Sequence, residues 1–175
     1  VMVLGGTDDR LHHIPISYAK EMEAHASFWQ VEVRKVYLAP GRQDVAELLD
    51  ATGIASNRSL EEIPIDGISS FSSHPIVDSG TTYTYLNIAF EEPLRQAWEK
   101  ATGREFARSI CHTSEEEAQD FPTFFFQLQG VENNDLVGSW DEEHPNDILV
   151  AFPPSRYLEK SGYCFRRRLY FESGS

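Results

Sequence analysis

Residues 76–86 read "IVDSGTTYTYL". Two apolar residues, Ile76 and Val77, run into Asp78, and Gly80 breaks the chain before two threonines and a second alternating stretch. A carboxylate at the end of an apolar strand is partly desolvated, which raises its pKa. Amides of a tight glycine turn and neighbouring hydroxyls act the other way, by hydrogen-bonding the ionised form. A group balanced like this suits general acid–base work. With a second carboxylate about 3 Å away the pair shares one proton, and it can activate water and protonate a leaving group. Taken alone, Asp-Ser-Gly-Thr is also an ordinary polar turn at a strand end. The surrounding sequence has to separate these readings.

Outward from the motif, "SSHPIVDSG" (72–80) is a short strand that ends at Asp78. After "TTYTYL", Phe90, Leu94, Ala97, Trp98 and Ala101 fall at helical spacing. Glu91 and Glu92 suit the positive end of that helix, Pro93 is tolerated in its first turn, and Gly103 stops it. Upstream, "FWQVEVRKVYLA" (28–39) alternates, with Trp29, Val31 and Val33 and then Val36 and Leu38 apolar. That is the period-two signal of a half-buried strand. "RQDVAELLDATGI" (42–54) reads as a short helix capped by Asp44 and ended by Gly53. Residues 42–66 look like a polar, locally helical insertion between two strands. Downstream, "FPTFFFQLQGV" (121–131) is a strand with Phe124, Phe126 and Leu128 on one face. "DILVAFPPSRYL" (147–158) is another, broken at Pro153-Pro154, and "YCFRRRLYFE" (163–172) is a last one. Strands outnumber helices and do not alternate with them, so the reading is a mainly β domain rather than a doubly wound sheet.

Composition narrows the function. The chain has 175 residues, enough for one sizeable core, and carries a net charge of −13 from 28 acids and 15 bases. Such a surface repels phosphate backbones, so nucleic acid is not an expected partner. Its apolar runs fall short of the roughly 18 residues of a membrane-spanning helix. Cys111 and Cys164 are too few for a disulfide framework and too far apart for the usual metal motifs. One bridge and two buried thiols both remain open. Asn57-Arg58-Ser59 fits the N-glycosylation pattern. His12 and His13 lie near Asp8 and Asp9, but adjacent strand residues point to opposite faces, and no metal is expected there. "HTSEEE" (112–117) offers a capping box and a solvated acidic face. "RRR" (166–168) reads as a strand with charge on its outward positions, and "FFF" (124–126) as core. Ser79 lacks the G-x-S-x-G elbow of a serine nucleophile.

Several of these segments, in this order, resemble the C-terminal lobe of the pepsin-like aspartic proteases. "MVLGGTDD" (2–9) resembles the glycine-rich strand that follows the crossover between lobes, and "FWQVEVRKVYL" the strand after it. "IVDSGTTYTYL" resembles the second active-site loop, and "FPTFFFQLQGV" and "ILVAFPPSRYL" the paired strands downstream. The resemblance covers nearly the whole chain except residues 42–66. It implies an all-β lobe with one or two short helices over residues 1–175, incomplete at its C-terminal end. The N-terminal lobe of the same protease, which would bring the flap and the second aspartate, lies outside these residues.

The resemblance also implies roles. Asp78 would be one of two catalytic aspartates of an endopeptidase that uses no cofactor. Ser79, where most members carry Thr, would lock the two active-site loops together through its hydroxyl. Gly80 would let the substrate backbone approach closely. Thr81 would hydrogen-bond the outer oxygen of Asp78, Thr82 would meet the substrate backbone, and Ile76 would line an apolar pocket. Cys111 and Cys164 stand where this lobe carries its disulfide. The expected partners are the N-terminal lobe and a peptide or protein substrate, with room for a membrane anchor beyond Ser175. The expected location is the secretory pathway, an extracellular or a lysosome-like compartment. The alternatives are an inactive pepsin-fold binding or inhibitor protein, and a single-lobe protease that dimerises.

Overall fold

The computed structural model describes residues 17–22, 30–39, 60–66, 81–132, 141 and 143–172. Over these residues the chain is mostly β-sheet with a few short helices, as the strand count predicts. In chain order the strands are β1 (Val33–Ala39), β2 (Glu61–Ile63), β3 (Thr84–Asn87), β4 (Ser109–Cys111), β5 (Thr123–Leu128), β6 (Ile148–Phe152), β7 (Leu158–Ser161), β8 (Cys164–Arg167) and β9 (Leu169–Glu172). The helices are α1 (Glu91–Thr102), α2 (Glu115–Gln119) and α3 (Pro154–Tyr157). They make three sheets: antiparallel β2-β1-β5-β6, antiparallel β4-β8-β7, and the parallel pair β3-β9.

β1 explains an irregularity of its own sequence. Val33 and Val36 are both apolar but three apart, which strict alternation would send to opposite faces. The register with β5 runs Val33↔Leu128, then Lys35↔Gln127, then Val36↔Phe126, so Arg34 is the extra residue of a bulge. Val33, Val36 and Leu38 therefore all join the main core, beside Phe124. Tyr37 and Ala39 are buried on the opposite face with Phe125, in a second, smaller cluster. The central sheet is thus covered on both sides at this point.

The helix after the motif forms as its spacing predicts. A 3₁₀ turn at Ile88–Phe90 leads into α1, with Asn87 Oδ1 accepting from the Ala89 N–H at 3.0 Å. Leu94 and Trp98 are completely buried. Each contributes about 1.5–3 kcal/mol by removing apolar surface from water. Arg95 bridges Glu92 and Glu99 on the outer face, at 2.6 and 2.9 Å. Ala101 departs from the expected stripe and is exposed. The helix ends at Gly103, whose φ of 67° is left-handed and whose N–H reaches the Glu99 carbonyl at 2.8 Å. Around Trp98 an aromatic core assembles from Phe106, Phe121, Phe124 and Tyr157. The Tyr157 hydroxyl donates to the Pro122 carbonyl at 2.6 Å, which satisfies it in the interior.

Two expectations change here. "YCFRRRLYFE" is not one strand. It breaks at Arg168 into β8, antiparallel to β4 and β7, and β9, parallel to β3. The Arg168 N–H donates to the Tyr157 carbonyl at 2.8 Å, one step further along the β7–β8 register, before the chain turns to β3. The second change is in residues 42–66, of which only 60–66 are described. They include β2, which pairs antiparallel with β1 and is tied to α1 by the Lys100–Glu61 ion pair. The expected helix at 42–54 lies outside the described residues, as does the glycine-rich strand expected at 2–9.

Candidate functional site

Ile76, Asp78, Ser79 and Gly80 lie outside the described residues, and so do Asn57, Asp8, Asp9, His12 and His13. The structure describes how the chain leaves the motif. Thr81 and Thr82 are exposed, and from Thr84 the chain runs as β3 alongside β9, Thr84 opposite Leu169 and Asn87 opposite Glu172. One face of this parallel pair belongs to the core. Leu169 is fully buried, and Leu86 and Phe171 pack against the same cluster. The other face is aromatic and cationic. Tyr170 stands edge-on to Tyr83 at 5.3 Å and stacks on Tyr85 at 5.6 Å.

Arginines grip this second face. Arg168 Nη2 donates to the Thr82 carbonyl at 3.1 Å, and its guanidinium lies 5.8 Å from the centre of the Tyr83 ring. The Thr84 N–H donates to the Arg168 carbonyl at 3.0 Å. Arg108 lies 5.9 Å from the Tyr170 ring centre. Arg166 pairs with Glu159 at 2.9 Å and approaches the Tyr83 hydroxyl at 3.4 Å. Its hydrogen bond to Glu159 raises the guanidinium pKa and lowers that of the carboxyl.

The expectation that "RRR" carries charge on its outward positions holds for Arg166 and Arg168, which both lie on the side of Tyr83. Arg167 turns inward, 4.8 Å from the Phe106 ring centre and 5.3 Å from that of Phe171, and donates to the Phe106 carbonyl at 3.0 Å. Burial pushes its pKa down. Alternation is the physical cause: Arg167 shares the inward side with Leu169 and Phe171, while Arg166, Arg168 and Tyr170 share the side of Tyr83.

A second polar constellation went unseen in the sequence. Gln127 is fully buried in β5, and Asp147 and Tyr37 are nearly so. Gln127 Nε2 donates to Asp147 Oδ2 at 2.9 Å and to Asp141 Oδ2 at 2.8 Å, while its Oε1 accepts from the Tyr37 hydroxyl at 2.9 Å. Asp147 Oδ1 takes the Gly130 N–H at 3.2 Å, and Arg34 Nε lies 2.9 Å from Asp147 Oδ2, a charge contact without hydrogen-bond alignment. Burial and the negative charges of Glu62, Asp141 and Asp147 push the Tyr37 hydroxyl far above its ordinary pKa, so it stays a donor. The signal in the sequence was Gln127 itself, a polar residue sharing a strand face with Phe125. It becomes legible only once that face is known to be covered.

At the solvent edge of this network, ligand atoms of Asp141, Glu143 and His144 lie within 4.8 Å of one another. The donors already present argue against a cation. Asp141 Oδ2 accepts from Gln127, faces His144 Nδ1 at 3.2 Å and has Lys35 Nζ at 4.0 Å. Burial raises the Asp141 pKa, but the bonds from Gln127, His144 and the Glu143 N–H, with the Lys35 charge, outweigh it and leave the carboxyl below its ordinary value.

Cys111 and Cys164 are directly opposed across β4 and β8 and are joined in a disulfide, the pairing that the resemblance implied. Such a bridge fits an oxidising, extracellular or secretory environment. No protein-family model and no curated protein sequence matches the chain.

Proposed function

We propose that this chain is the C-terminal lobe of a pepsin-like aspartic endopeptidase, supplying Asp78 as one of its two catalytic carboxylates. The observation that carries the reading is the mount of the motif. Directly after Asp78-Ser79-Gly80-Thr81 the chain is tied to Arg168 and enters a parallel strand pair with one face in the core. A catalytic carboxylate needs such a support, since its placement has to hold to within about 0.5 Å. The Cys111–Cys164 bridge, which the same resemblance implied, supports the reading.

In this reading Asp78 and the aspartate of the N-terminal lobe hold one water and share one proton. The ionised carboxylate takes a proton from the water as its oxygen attacks the scissile carbonyl carbon. The protonated partner gives its proton to the carbonyl oxygen. Collapse of the tetrahedral diol breaks the C–N bond: the protonated carboxyl gives its proton to the leaving amine, and the ionised one takes a diol hydroxyl proton, which restores the single shared proton. Ser79 locks the two loops, Thr81 bonds the outer oxygen of Asp78, Gly80 and Thr82 face the substrate backbone, and Ile76 lines a side-chain pocket. The protein works in the secretory pathway or a lysosome-like compartment, and Asn57 carries a glycan.

The test is turnover of a quenched peptide library by the full-length protein and by Asp78→Asn, from acid to neutral pH. The expected result is cleavage by the wild type and none by the folded variant. Equal cleavage by both sinks the assignment of Asp78. A wild type that binds a peptidic aspartic-protease inhibitor but cleaves nothing points instead to an inactive pepsin-fold binding protein.

A further inference from the structure

Tyr163 is 96% exposed, at the tip of the hairpin that joins β7 to β8. Ser161 pairs with Cys164, so the turn has two residues, and Gly162, with a φ of 63°, takes its first place. The residue after Tyr163 is Cys164, which the disulfide fixes to Cys111 on β4. An aromatic ring is thus presented to water from a tight turn anchored by a covalent bridge.

A second rim leaves the same end of that bridge. His112, directly after Cys111, has a left-handed φ of 58° and turns the chain toward α2. Arg104 Nη1 donates to Thr113 Oγ1 at 2.8 Å, and the reciprocal Ser114–Glu117 cap, at 3.1 and 2.8 Å, fixes the start of α2. Between the two rims lies an open groove of about 1020 Å³. The hairpin contributes Tyr163, Phe165 and Lys160 to it, and the opposite rim contributes Glu115 and Glu116. We propose that this groove is a docking site for an arginine side chain of a basic polypeptide segment, with the guanidinium over the Tyr163 ring and against the Glu116 carboxylate.

Charge selects the occupant. Two carboxylates and one ammonium line the groove, and Lys160 is engaged by Glu115 in an ion pair. The lining is therefore net negative, on a chain whose own net charge is −13. An anionic or wholly apolar segment would meet Glu116 without compensation. A guanidinium satisfies both features at once, since its flat face lies on an aromatic ring while its edge donates to a carboxylate. Lysine supplies the charge but neither the plane nor the fork. Rims fixed before binding reduce the ordering that docking would otherwise require.

The experiment follows the fluorescence anisotropy of fluorescein-labelled hexa-arginine, with hexa-lysine beside it, on the full-length protein at neutral pH and about 0.15 M salt. The variants are Tyr163→Ala, Tyr163→Phe, Glu116→Gln and Glu62→Gln, the last removing the same charge from β2 in a different sheet. The wild type should bind hexa-arginine saturably and more tightly than hexa-lysine. Tyr163→Ala should weaken that binding about 2- to 5-fold, and Tyr163→Phe, which keeps the ring, should retain it. Glu116→Gln should weaken it by up to about 5-fold, with Glu62→Gln unchanged. Absent binding, equal binding of the two peptides, or a folded Tyr163→Ala that binds like wild type overturns the proposal. So do equal losses in Glu116→Gln and Glu62→Gln, which would show only general attraction to an acidic chain. Self-association of the wild type that Tyr163→Ala abolishes, with no peptide bound, would make a second copy the occupant and overturn it too. Peptide turnover enters none of these readouts, so failure here is distinct from failure of the peptidase reading.

Discussion

Gln127 and Asp147 are joined by a 2.9 Å hydrogen bond inside the protein, Gln127 fully buried and Asp147 only 6% exposed. This bond ties the segment before β6 to the middle of the central sheet. With Tyr37 and Asp141 as further partners, Gln127 makes three side-chain hydrogen bonds to protein groups.

Gln127→Leu should therefore destabilise the protein by about 2–4 kcal/mol. The variant leaves a buried carboxylate and a buried hydroxyl without their donor and acceptor, and an unmade buried bond costs more than a made one contributes. Tyr37→Phe, which removes a single neutral bond, should cost about 1 kcal/mol. Urea denaturation measures both. A Gln127→Leu loss no larger than that of Tyr37→Phe would mean that the network does not hold Asp147.

Asp141 carries a pH signature. Its folded pKa is depressed, so below neutrality the unfolded chain takes up its proton before the folded one does. Its contribution is full above the unfolded carboxylate value and is lost as pH falls through the folded value. Asp141→Asn should be less stable than wild type at neutral pH, and the gap should close as both approach strong acid. Thermal melts across that range check it, and a gap independent of pH would show that ionised Asp141 is not the group responsible.

The disulfide spans 53 residues. Closing a loop of that length in the unfolded chain is worth about 4 kcal/mol on the chain-entropy account. Replacing Cys111 and Cys164 by Ser should cost about 2–4 kcal/mol, and dithiothreitol should lower the melting temperature of the wild type but not of the double variant. An unchanged wild-type melt under full reduction would contradict this.

Gly103→Ala separates backbone strain from crowding. A Cβ at Gly103 meets nothing within 4 Å, so the whole effect comes from its φ of 67°. Left-handed backbone costs an alanine about 1 kcal/mol, whereas asparagine tolerates it better. Chemical denaturation should rank Gly103, then Asn, then Ala, and an alanine variant as stable as wild type would mean that the helix end re-forms without the left-handed cap.

The sequence by itself determined the elements whose causes are local. Phe90, Leu94 and Trp98 share one helical face, and Gly103 ends the helix. Ser114 and Glu117 cap α2 reciprocally, within three residues of each other. Phe124 and Phe126 alternate into the core. Each pattern arises within a turn or a strand, where neighbours along the chain are neighbours in space.

What only the tertiary structure decided depends on partners far apart in the chain. The bulge at Arg34 exists because β1 and β5 settle their registers together. Gln127 is interior on a face that alternation alone would leave to water, where Tyr37, 90 residues away, and Asp147 meet its side chain. The run that reads as one strand divides at Arg168 because the residues before it pair with β7 and those after it with β3, more than 80 residues earlier in the chain, where the Arg168 side chain also finds Thr82, 86 residues away. A periodic pattern states which side chains share a face. It does not state what covers that face, since burial is a property of the assembled layers and not of the strand.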